Sequence, residues 1–214
     1  MHQSTLPCDF ALPAEWEPQS AIMLTWPHAG TDWKPYLPEI TDTYLELADI
    51  ITRYEQLLVA TPDVPATRYQ LKKKLSAEQM SRVLLYEVES NDTWVRDHGP
   101  LTMVLRRKQN TWMVPYRILD FKFNGWGEKF RWEKDNAITL QLYYQAAFNA
   151  DIENHQGSCS KEAASRVTER VHSSPPHSAC WRLTATSRST TTASTICCRL
   201  SSSSSESSGW ITAI

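Results

Sequence analysis

The chain has 214 residues, enough to bury one substantial core or two small ones. A formal net charge of −2 with 21% charged residues argues against a nucleic-acid-binding surface, and the short run Lys72-Lys73-Lys74 reads as a solvated helix face. No window approaches the roughly 18 uninterrupted apolar residues of a membrane span. Met1 to Leu12 carries no basic stretch followed by an apolar core, so no secretory signal is expected and the reading is cytoplasmic.

From Leu12 to about Asn149 the texture is that of an α/β domain. Ala21 to Trp26 reads as a buried strand stopped by Pro27. Ile40, Tyr44, Leu47, Ile51 and Tyr54 recur at helical spacing, predicting an amphipathic helix over about 38–54 with this stripe in the core. Gln56 to Ala60 is the next expected strand, Ala66 to Leu75 a second helix, and Arg82 to Glu87 a third strand. A polar loop at about 90–100 precedes two more strands, Leu101 to Leu105 and Trp112 to Leu119. Glu133 to Phe148 is helical in period through Ile138, Leu142 and Ala146.

Beyond residue 157 the texture changes, as Ser and Thr dominate and no period persists. Ser201 to Ser205 would ordinarily be a flexible linker, but Trp181, Trp210 and the cysteines are odd company for one. Cys159, Cys180, Cys197 and Cys198 form no CxxC pair. His172, His177 and Cys180 are the nearest approach to a zinc ligand set, and no metal site is expected there.

The chemistry concentrates in Asn91-Asp92-Thr93-Trp94-Val95-Arg96-Asp97-His98-Gly99-Pro100, a loop between two predicted strands, where a scaffold commonly displays functional side chains. One reading is a plain Asn-Asp turn with Arg96 and Asp97 paired to other charges. The other is a cation site. The Trp94-to-Asp97 spacing can set an aromatic wall and a carboxylate around one planar guanidinium, which stacks on the ring and donates paired hydrogen bonds to the carboxylate.

Three blocks, in order and at matching separations, give the chain a resemblance to the agmatine deiminases and their bacterial peptidylarginine-deiminase-like relatives. They are Leu12 to Pro18 followed by Leu24-Thr25-Trp26-Pro27-His28, then Asn91 to Pro100, then Phe123-Asn124-Gly125-Trp126-Gly127. The resemblance implies an α/β five-bladed propeller (the pentein fold), of which residues 1–150 would supply about two blades. It also implies hydrolysis of agmatine to N-carbamoylputrescine and ammonia on the route to putrescine, with a small guanidinium molecule as partner and no metal or organic cofactor. In that chemistry a cysteine thiolate attacks the guanidinium carbon, ammonia leaves, and water releases the product from the thiouronium, while carboxylates hold the cation and a histidine moves protons. By motif position Asp97 matches the family's guanidinium-binding carboxylate and Trp94 the aromatic wall. Asp92 and Trp126 belong to the same blocks with a shaping role.

The family also requires a Glu-Gly-Gly block, a His-x-Asp block and a nucleophilic cysteine, and this chain shows none of them. A shifted codon, built from the third base of one residue and the first two of the next, restores part of the pattern. From Gly157 to Arg166 it permits FVLEGGSIES, in which the Glu needs the AA that begins a Lys161 codon and the next Gly the GA that begins Glu162. The expectation is a reading frame lost between about residues 149 and 156. Residues 151–214 would then form a disordered out-of-frame tail, and the chain would lack deiminase activity and be prone to aggregate. Peptidyl-arginine as substrate, and a non-catalytic guanidinium-binding fragment, stand as alternatives. Oligomeric state is not readable.

Overall fold

The computed structural model describes residues 10–14, 16–105, 115–160 and 211–213. Among them the elements run β1 (Phe10–Ala11), β2 (Ala21–Thr25), a 3-10 turn (Lys34–Tyr36), α1 (Leu37–Ile51), β3 (Gln56–Thr61), α2 (Val64–Lys74), α3 (Ala77–Met80) and β4 (Val83–Glu87). They continue with α4 (Val95–His98), β5 (Leu101–Leu105), β6 (Tyr116–Lys122), α5 (Gly125–Glu128), α6 (Glu133–Tyr144), β7 (Asp151–Ser160) and β8 (Ile211–Ala213). The predicted alternation of strand and helix is present, and the differences have local causes.

Two sheets form. The first has the order β4-β3-β2-β8 and is parallel throughout. The second has the order β1-β5-β6-β7, antiparallel except for the β6–β7 pair. Parallel strands covered on both faces read as continuous apolar runs, and β2 and β3 do so. Ile22, Leu24, Leu57 and Val59 pack with Ala48, Ile51 and Leu71 of α1 and α2. Met23, Leu58 and Ala60 point the other way, into a second core with Val95, Ile118, Ile138 and Leu142. This second core seats the candidate loop and α6 against the back of the first sheet.

Helix α1 ends at Ile51, earlier than its apolar stripe suggests. Thr52 folds back to bond the Ala48 carbonyl through both its amide and its hydroxyl, at 3.0 and 2.6 Å. Tyr54, expected in the core, therefore lies past the helix and is 81% exposed. Helix α2 begins two residues before expectation, because Asp63 accepts the Ala66 amide at 2.9 Å and Pro65 occupies the first turn. Lys72, Lys73 and Lys74 are exposed, as a solvated face requires.

Helix α6 stops at Tyr144 rather than Phe148. Ala146 takes φ +56°, and Ala147 donates to the Leu142 carbonyl at 3.0 Å, the six-to-one bond of a left-handed helix stop made without the glycine that usually signals it. Strand β6, at Tyr116–Lys122, starts four residues and ends three residues later than expected. The domain boundary expected at residue 150 is followed directly by β7, which pairs in parallel from Arg117↔Asp151 to Phe121↔His155 before the register slips. Residues 161–210, including the expected Ser-rich linker and the His172, His177, Cys180 cluster, lie outside the described residues, and Ile211–Ala213 pair with β2.

Candidate functional site

The candidate loop follows β4, the loop Trp26–Trp33 follows β2, and the loop carrying Trp126 follows β6. The first two leave the carboxyl ends of parallel strands of one sheet, with β3 between them, at the edge where open α/β sheets commonly bind ligands. Their side chains meet. Trp33 and Trp94 lie with ring centroids 6.1 Å apart and tilted, and Trp94 and Trp126 are 6.3 Å apart at 81°, edge to face. Phe123 and Phe130 buttress Trp126 from two sides at 5.2 and 5.7 Å, each nearly perpendicular to it. Trp94 keeps 46% of its surface exposed, so the aromatic group is open to solvent at that ring.

The loop was expected to be irregular, but Val95–His98 close a helical turn. Asp97 donates its amide to the Trp94 carbonyl at 2.9 Å, and Gly99 donates to Val95. The partly exposed Asp97 thus lies on the turn that Trp94 opens, three residues after it. Val95 and His98 point inward and are buried. His98 Nε2 faces the Thr25 hydroxyl at 3.5 Å, and its carbonyl accepts from Thr139. The turn is thereby tied to β2 and α6.

Asp92 is hydrogen-bonded within its own loop. Its Oδ1 accepts the Thr93 amide at 2.8 Å, and its Oδ2 accepts the indole N–H of Trp94 at 3.0 Å. Both oxygens are thus used to orient the loop and the Trp94 ring, while the Thr93 hydroxyl accepts the indole N–H of Trp33 at 2.9 Å. Partial burial raises the Asp92 carboxyl above the usual range, against the lowering pull of those hydrogen bonds. Nearby, His28 bonds the Ser90 hydroxyl at 3.1 Å, and burial lowers its imidazole.

Trp126 reaches its place through an unusual backbone. Gly125, Trp126, Gly127 and Glu128 all have positive φ, between +57° and +85°, so four residues make one left-handed turn. Non-glycine residues there cost roughly 1–2 kcal/mol each. The turn is closed by Glu128 donating to the Asn124 carbonyl at 2.7 Å, and by the Asn124 side chain accepting the Gly127 amide at 3.0 Å. A Cβ on Gly125 would stand 2.6 Å from the Phe130 carbonyl oxygen, so glycine is required there by space as well as by φ.

The structure thus brings Trp94, Asp92 and Trp126 together, with Asp97 on the Trp94 turn. Sequence reasoning missed Trp33, and it missed Asp135, whose Oδ1 accepts the amides of Asn91 and Asp92 at 2.6 and 3.1 Å. The first had a faint signal, as an indole shortly after the strand-ending Pro27. The second had none, since its partners lie 43 and 44 positions away. Among the described residues no group of three His, Cys, Asp or Glu side chains is arranged to hold a metal ion, and no helix is long and apolar enough to cross a membrane.

Residues 11–165 match the family model described as Porphyromonas-type peptidyl-arginine deiminase. A Pectobacterium atrosepticum protein named "Putative agmatine deiminase" is 31% identical over 147 residues, covering 64% of this chain and 36% of that protein. A Yersinia pestis protein of the same name is 30% identical over 138 residues, 62% of this chain and 34% of the relative. The chain therefore spans about a third of the length of these curated relatives. Among solved structures, a substrate-bound agmatine deiminase variant of C. jejuni superposes with a TM-score of 0.57 at 30% identity, over 68% of this chain and 39% of that one. With the matched residues covering most of the described structure and both halves of the candidate site, the chain belongs to the Porphyromonas-type peptidyl-arginine deiminase family.

Proposed function

We propose that this chain carries the N-terminal part of an agmatine deiminase, a cytoplasmic enzyme of putrescine biosynthesis that hydrolyses agmatine to N-carbamoylputrescine and ammonia. One observation carries the reading. Trp33, Trp94 and Trp126 converge from three loops, and the partly exposed Asp97 lies on the turn that Trp94 opens. A guanidinium is planar and permanently charged, and it pairs best with an aromatic face and a bidentate carboxylate. Asp97 takes the guanidinium N–H groups and acts as the catalytic carboxylate, Trp94 stacks on the cation, and Asp92 and Trp126 hold that wall in place.

The rest of the machinery belongs to sequence that this chain presents in the wrong frame. The shifted reading from Gly157 supports this. Residues 1–150 then represent about two blades of a five-bladed α/β propeller, and the sequence beyond them an out-of-frame tail. Without the Glu-Gly-Gly glutamate, the proton-transfer histidine and the nucleophilic cysteine, the 214-residue chain binds weakly at best and releases no ammonia.

A second reading has peptidyl-arginine as substrate, favoured by the description of the matching family model. The chain with its frame restored at codons 149–156, assayed on agmatine and on a peptidyl-arginine substrate, separates the two. Turnover of agmatine alone supports the first reading, and preference for the peptide overturns it.

A further inference from the structure

We propose that Asp135 and Asn136, neighbours on the first turn of α6, are positioning residues that set the spacing between the Trp94 and Trp126 rings. The inference deepens the reading above and rests on it for the functional meaning of that spacing. The two indoles sit on different loops, 32 residues apart, and each loop is anchored by its main chain to the same helical turn. Asp135 is 2% exposed, and its Oδ1 accepts the amides of Asn91 and Asp92 at 2.6 and 3.1 Å, immediately before Trp94. The Asn91 side chain returns the contact by accepting the Lys134 amide at 2.8 Å. Helix α6, whose own N-cap residue Trp132 makes no side-chain cap, is thus capped from a distant loop.

Asn136 performs the matching task on the other side. Its Oδ1 accepts the Phe123 amide at 2.7 Å, at the base of the left-handed turn that carries Trp126. Its amide orientation is fixed by a chain of bonds, as Nδ2 donates to Gln156 Oε1 at 2.8 Å and Gln156 Nε2 donates to the buried Asp120 at 2.7 Å. The two anchors are adjacent residues of one rigid element, so the distance between the loops is set at α6 rather than by the flexible ring contacts themselves. A working site has to hold its geometry within about 0.5 Å, which side chains locked by supporting hydrogen bonds provide.

The test uses the full 214-residue chain and needs no substrate, so its failure is distinct from failure of the deiminase reading, which is judged by ammonia release. The readout is the exciton-coupled circular dichroism of the paired indoles, assigned by its loss in Trp94→Phe and Trp126→Phe. Asp135→Ala and Asn136→Ala are expected to lose this signal while the helical signal persists. Asp135→Asn, which keeps a carbonyl oxygen able to accept both amides, is expected to retain it. Retention of the signal in both alanine variants overturns the proposal, as does its loss in Asp135→Asn. Collapse of the helical signal in both alanine variants also overturns it, since the residues would then hold the fold rather than the spacing.

Discussion

Replacing Asp135 by Asn should make the chain more stable at pH 8 and remove a pH dependence that the natural side chain imposes. Burial raises the Asp135 carboxyl from 3.8 to about 6, with the charges of Asp92 and Glu133 adding to the rise and the amides of Asn91 and Asp92 opposing it. The folded chain therefore holds a proton that the unfolded chain has lost between about pH 4 and 6. Stability from this group is fully present below the unfolded value and is lost as pH rises through 6. At 1.36 kcal/mol per pH unit the ionised carboxylate costs about 3 kcal/mol at pH 8. Asparagine removes that cost but brings an N–H₂ group with no assured acceptor, worth about 1–2 kcal/mol in the other direction. The expected gain at pH 8 is about 1–2 kcal/mol, falling towards zero or below at pH 4. Urea unfolding of both proteins across pH 4–8 measures it, and shifts from His28 largely cancel in the difference. A difference that stays constant across that range would show that Asp135 does not titrate there.

Gly125→Ala should destabilise by about 2 kcal/mol or more, since φ is +61° and the new Cβ meets a carbonyl oxygen at 2.6 Å. Gly127→Ala, at φ +85° but facing open space, should cost only about 1–2 kcal/mol, so an equal loss in urea midpoints would contradict the steric account. Asp63→Ala removes the cap of α2 and should lower stability by about 1 kcal/mol, read in the same titration. In the frame-restored enzyme Asp97→Asn should reduce kcat/KM for agmatine by about 10- to 150-fold, the loss of one charge-assisted contact; unchanged kinetics would remove Asp97 from the site. Sequencing the gene across codons 149–156 should reveal a one- or two-base insertion or deletion relative to close relatives, and an intact frame would sink the frame-loss proposal.

The α/β class and the order of elements were legible because β2, β3 and α1 announce themselves through apolar runs and helical spacing. Their ends were less so. Tyr54 fits the stripe of α1 by period, yet Thr52 had already turned the chain, a side-chain bond that periodicity does not encode. Ala146 ends α6 in a left-handed conformation that no glycine advertises. At the candidate site the loop Asn91–Pro100 stands out in the sequence by its residue types, and Trp94 with Asp97 by their spacing. The partnership with Trp33 and the anchoring of the loop to Asp135 depend on contacts across 43 to 60 positions, which a single sequence does not reveal. Asp92 was placed in the site by its motif, and the structure gives both its oxygens to the loop itself.

Ammonia release from agmatine, measured side by side for the 214-residue chain and for the same gene with its frame restored at codons 149–156, bears most directly on the whole account. Steady release is expected from the restored protein and none from the 214-residue chain. Release by the 214-residue chain itself, or none by the restored one, would contradict it.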